Sequence, residues 1–77
     1  MNDYKEIIYS ILHEANPYEE IEDTTELIES GIVDSLTLVF MVTQLEEMTD
    51  KKILEDLIVP ENFSCVEKIN ETLNSIY

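Results

Sequence analysis

Few residues in this chain are equipped for chemistry. The one histidine, His13, and the one cysteine, Cys65, lie far apart in the sequence. His13 has no second histidine and no cluster of ligand types near it, and it reads as a solvated surface residue. Cys65, beside Val66 at a helix start, reads as a packing residue. No serine has a credible base for nucleophilic catalysis, and with a single glycine no loop can cradle a phosphate. Carboxylates are abundant, densest in Glu19-Glu20-Ile21-Glu22-Asp23. No spacing matches a calcium loop, and acid pairs arise by chance on so acidic a surface. What remains is Gly31-Ile32-Val33-Asp34-Ser35-Leu36. There a hydroxyl follows a glycine bend and stands between a carboxylate and a leucine.

The element that positions this hydroxyl is a helix expected from about Ser35 to Met48. Asp34 is a good N-cap, and its charge suits the positive end of a helix. At about 100° per residue, Leu38, Met41, Val42, Leu45 and Met48 share one face and should form the core stripe. Leu36, Phe40, Thr43 and Glu47 fall opposite, with Val39 flanking them. Thr43 and Glu47 belong in solvent, so Leu36 and Phe40 should be exposed as well. Capping alone explains an Asp-Ser pair at a helix start. It does not explain an apolar pair in solvent beside it. An exposed hydroxyl next to an exposed apolar patch marks a place where something attaches and something docks.

Other elements follow from the same periodicity. A first helix is expected over about Asp3 to Glu14, with Tyr4, Ile7, Ile8, Ile11, Leu12 and Ala15 as its stripe, an Asp3/Glu6 capping pair, and Pro17 just beyond its end. Asn16 to Ser30 reads as a long acidic connection pinned by Ile21, Leu27 and Ile28. Within it, Asp23 to Glu26 could start a helical turn ending at Gly31. From Ile53 to Phe63 two readings stand. Leu54, Leu57, Ile58 and Val59 could form a short helix ended by Pro60, or Pro60 to Phe63 could be a turn that plugs Phe63 into the core. Ser64-Cys65-Val66-Glu67 has the S-x-x-E form of a capping box and opens a last helix with Val66, Ile69, Leu73 and Ile76 as its stripe. No stretch alternates with period two. The expectation is an all-α fold, a small bundle of three main helices plus one short helix or turn, in a single domain over residues 1–77.

Composition narrows the partners. Four basic residues, all lysine, face 18 acids, for a formal net charge of −14. Almost nothing can neutralise phosphates, which argues against nucleic acid and an anionic membrane surface. Basic partner proteins are favoured, drawn by long-range attraction. Leu, Ile, Val and Phe make up 25 of the 77 residues, too many for a disordered chain. A lone cysteine, no leader-like opening and no apolar run of transmembrane length lead to the expectation of a cytoplasmic, monomeric protein without membrane insertion.

Taken together, the sequence resembles the acyl carrier protein family, including peptidyl and D-alanyl carriers. Gly31-Ile32-Val33-Asp34-Ser35-Leu36 matches the family's G-x-x-D-S-L attachment motif. The likeness runs through nearly the whole chain: a first helix, a long acidic loop, a second helix starting at Ser35, a loop with Ile53, and Pro60-Glu61-Asn62-Phe63-Ser64 leading to the last helix. The resemblance implies that Ser35 is the attachment point for 4'-phosphopantetheine, transferred from coenzyme A by a separate Mg²⁺-dependent phosphopantetheinyl transferase that Asp34 helps to engage. It implies a non-catalytic carrier of an acyl or aminoacyl thioester, visited by loading ligases or synthases. Leu36, Val39 and Phe40 would be the docking residues. One departure stands out. Fatty-acid carriers usually have an acidic second helix just after the serine, whereas Thr37 to Gln44 here holds no charge. This resembles a specialised carrier more than a housekeeping one. The alternative is an acidic helical interaction module that carries no prosthetic group.

Overall fold

Apolar spacing sets three helices in the computed structural model, which describes residues 3–76. They are α1, Lys5–Ala15, α2, Ser35–Thr49, and α3, Val66–Ile76. Two short 3₁₀ turns, Glu55–Leu57 and Pro60–Phe63, lie between α2 and α3, and the described residues contain no strand. The chain is thus the small all-helical bundle that its periodicity implies. Both readings for residues 53–63 have a counterpart: a 3₁₀ turn at Glu55–Leu57, shorter than the expected helix, and the Pro60–Phe63 turn, which plugs Phe63 into the core.

Each helix contributes a stripe to one core: Ile8, Ile11 and Leu12 from α1, Met41, Val42 and Leu45 from α2, and Val66, Ile69 and Leu73 from α3. Leu27, Val33, Ile53 and Phe63 close it from the connections. Full burial of a side chain of this size stabilises by about 1.5–3 kcal/mol. The first two helices run antiparallel: Ala15 lies beside Leu36 and Phe40, while Ile7 and Ser10 lie beside Met48. Among the described residues, no helix is long and apolar enough to cross a membrane.

Several local expectations give way to tertiary packing. The Asp3/Glu6 capping pair does not cap α1: the N-cap position is Tyr4, and the Asp3 carboxylate instead accepts from the Lys5 N–H at 3.0 Å. Tyr4's own N–H reaches across to Asn70 Oδ1 of α3 at 2.8 Å. Ala15 is exposed, because the α1 stripe leaves the core after Leu12. Met48 is 50% exposed rather than core. Met48 lies at the outer edge of the seam between α1 and α2, beside Asp3, Glu6, Ile7 and Ser10, rather than inside it.

The acidic connection is held by main-chain bonds rather than by a helix. Glu22 to Gly31 contains two separate turns, closed by Thr25 N–H to Glu22 O and by Gly31 N–H to Ile28 O. Leu27 is the hub. Its N–H donates to Ser64 O at 2.8 Å, and its carbonyl accepts from Val33 N–H at 2.8 Å. The Ser64/Glu67 capping box is not formed either. Ser64 Oγ donates to Glu61 O, and the Glu67 N–H it was expected to satisfy donates to the carbonyl of Asp23. The α3 N-terminus is therefore capped by a distant loop. The Asp23 carboxylate in turn accepts from Lys5 Nζ at 2.9 Å and from the Tyr9 hydroxyl, clamping the same loop to α1.

Candidate functional site

Gly31, Asp34 and Ser35 make a short entry into α2, with its cap supplied locally. Gly31 has φ +83°, the left-handed region that a side chain strains to occupy. Asp34 is extended, at φ −97° and ψ −174°, which aims its carboxylate back at the helix. That carboxylate accepts the Thr37 N–H at 2.8 Å, and the Asp34 carbonyl accepts the Leu38 N–H at 2.8 Å. The Thr37 N–H, followed by the Thr37 side chain, holds the Asp34 carboxyl below the ordinary aspartate range. Asp34 is the N-cap that the sequence implied, and it remains exposed and ionised.

Ser35 is the first residue of α2 and is exposed. Among the described residues its hydroxyl makes no hydrogen bond, so it faces solvent without a partner that would hold or activate it. His13 is also exposed, on the last turn of α1, and shares no hydrogen bond with Ser35. Cys65 is a half-buried free thiol just ahead of α3. The described residues contain no group of three or more His, Cys, Asp or Glu able to hold a metal ion. Among the described residues no side chain shares a hydrogen bond with the Ser35 hydroxyl, which is open to solvent.

Of the three expected docking residues, two are placed as anticipated. Leu36 is 81% exposed and Val39 is 62% exposed. Phe40 is not. It is half-buried and packs against the core. The reason is α1: Phe40 is turned toward its end, where Ala15 is too small to fill the gap. Ala15, Leu36, Thr37 and Phe40 line a recess of about 260 Å³ there. Ala15 and Thr37 were not anticipated as site residues. The signal that could have found them is the small side chain at the end of α1, at a point where α2 offers a large one.

Farther along α2 the first acid is not free for a partner. The Glu46 carboxylate accepts the Ile53 N–H at 2.8 Å and so holds the connection that follows α2. The surface next to Ser35 is accordingly apolar, with acids on the approach to α1's end and at Asp34. No protein-family model, curated protein or solved structure matches this chain.

Proposed function

We propose that this protein is a carrier: Ser35 takes a 4'-phosphopantetheine arm from coenzyme A, and the arm holds an acyl or aminoacyl group for partner enzymes. The observation that carries the reading is the solvent-facing hydroxyl of Ser35 at the first position of a locally capped helix, followed at once by exposed Leu36. The residues fit such a group. The Ser35 hydroxyl is exposed and has no competing hydrogen bond among the described residues. A phosphodiester here would sit at a helix N-terminus, where the dipole favours negative charge. Asp34 is like-charged, and it fits engagement of the modifying transferase better than stabilisation of the product. The arm, when attached, supplies a thiol that bears cargo as a thioester. The chain itself catalyses nothing and raises the local concentration of cargo at its partners.

The uncharged stretch from Thr37 to Gln44 favours a specialised pathway over housekeeping fatty-acid synthesis. Docking there rests on Leu36 and Val39 rather than on ion pairs along α2. We place the protein in the cytoplasm, as a monomer that meets its transferase and its loading enzymes in solution.

Intact mass after incubation with coenzyme A, Mg²⁺ and a promiscuous phosphopantetheinyl transferase tests the reading. The expected result is a gain of one phosphopantetheine unit that is absent in Ser35→Ala. No gain on folded wild-type protein overturns the carrier and leaves an interaction module with no prosthetic group.

A further inference from the structure

The segment between α1 and α2 is fastened differently from the helices it joins. Of residues 16–30, all of them described, only Leu27 is buried, and the stretch holds six acids and no lysine. Little buried apolar area and much like charge mark a region of low local stability. What holds it is a small set of bonds.

Asp23 faces two helices at once. Its carboxylate accepts from Lys5 Nζ at 2.9 Å and from the Tyr9 hydroxyl, both on α1. Its carbonyl accepts the Glu67 N–H of α3 at 3.0 Å. A tight turn stiffens the backbone that joins these two ends. Thr25 Oγ1 accepts the Glu22 N–H at 2.9 Å, and the Glu22 carbonyl accepts the Thr25 N–H at 3.2 Å. Four residues on, the Leu27 N–H donates to the Ser64 carbonyl and the Leu27 carbonyl accepts the Val33 N–H, each at 2.8 Å. The second helix is held by other means: its cap is Asp34, and its buried stripe is Met41, Val42 and Leu45.

We propose that residues 22–27 form a strap latched by Asp23, which opens together with the first turn of α3 as one unit while α2, with Ser35 at its start, stays formed. Releasing the Asp23 carboxylate from α1 removes what steadies its carbonyl over α3. The Glu67 N–H then loses its acceptor, and Leu27 leaves the core with the strap. The protein can thus loosen on its α3 side without unmaking the helix start that carries Ser35. The proposal does not rest on the carrier reading, because it concerns the chain whether or not Ser35 is loaded.

Native-state hydrogen exchange in low urea tests it. The amides of Leu27, Val33 and Glu67 lie in three parts of the chain, and each of their bonds is made by the strap or to it. They should share one opening free energy and one urea dependence, both smaller than those of Leu45 in α2. Asp23→Ala keeps the carbonyl and removes the carboxylate, and it should speed exchange at all three about fivefold. Tyr9→Phe cuts the same latch from the α1 side and should speed the three alike, by less. Asp34→Ala discriminates local from global opening. It removes the α2 cap, so Leu45 should exchange about fivefold faster while Leu27 and Glu67 keep their wild-type rates. Unequal opening among the three amides overturns the proposal, as does a Glu67 rate unchanged by Asp23→Ala. So does a strap that speeds up along with Leu45 in Asp34→Ala.

Discussion

The N-termini of α2 and α3 solve one problem in opposite ways. Both must satisfy backbone N–H groups that have no partner inside the helix. α2 does so locally, with Asp34 taking the Thr37 N–H from three residues away. α3 does so at long range, with the Asp23 carbonyl taking the Glu67 N–H from across more than half the chain. A locally capped start needs no neighbour over it, and so Ser35 can stand in solvent. A start capped by tertiary contact must be covered, and Val66, the first residue of α3, is buried. Of the two helix ends, the locally capped one leaves its first side chain, the Ser35 hydroxyl, exposed.

The contrast can be broken most strongly at Leu27, because its backbone bonds serve the approach to both helices. Its side chain is fully buried. Leu27→Ala should cost about 2–5 kcal/mol in urea unfolding. A loss well under this range would show that the two starts are independent of the hub. Gly31→Ala comes next and strikes the α2 approach alone. A Cβ there meets nothing within 4 Å, so the penalty is conformational, about 1–2 kcal/mol for a side chain at φ +83°. Wild-type stability in this variant would mean that the bend relaxes freely.

Acid and base separate the two starts further. The Lys5 ammonium, then the Tyr9 hydroxyl, hold the Asp23 carboxyl below the ordinary aspartate value of 3.8, and the Thr37 N–H does the same for Asp34. A depressed carboxyl adds stability that is present above 3.8 and lost as pH falls through its folded-state value. Asp23→Asn and Asp34→Asn should each flatten the acid limb of a stability–pH profile, and an unchanged limb in either would remove that residue from the account. The base limb belongs to the α3 clamp alone. Burial, and then the Asp23 carboxylate, push the Tyr9 hydroxyl up from 10.0 to about 12. Its contribution is whole below pH 10.0 and drains as pH rises toward about 12. Tyr9→Phe should remove this limb, and an alkaline profile that matches wild type would contradict it. The smallest effect is the sharpest. Ser64→Ala should stay within about 0.5 kcal/mol of wild type, because Ser64 does not cap α3. A loss of the size expected for a helix cap would restore the capping box.

What was legible in the sequence was local. Asp34 at the N-cap, Gly31 at the bend, the three core stripes and the exposure of Ser35, Leu36 and Val39 all follow from spacing within a few residues. What was not legible depends on a distant partner. Ser64 and Glu67 have the right types for a capping box, but a loop carbonyl occupies the donor first. Phe40 has the phase of an exposed residue, yet small Ala15 on a neighbouring helix leaves it a place to turn. Met48 has the phase of a core residue, but the neighbours it meets on α1, Glu6, Ile7 and Ser10, are at the edge of the seam and leave it 50% exposed. A helical wheel gives direction around one helix and cannot know what the neighbours present.

The remote cap on α3 also has a consequence in time. An early α2 can nucleate with its own cap in place, whereas the first turn of α3 must wait until the segment carrying Asp23 has closed over it. That closure carries an entropic cost that grows with the length of chain enclosed. In the folding transition state α2 should be largely formed and α3 largely not. Leu73→Ala, at a buried position of α3, should then speed unfolding and leave the folding rate nearly unchanged, while Leu45→Ala in α2 slows folding. Equal effects of the two on the folding arm of a chevron would refute that order.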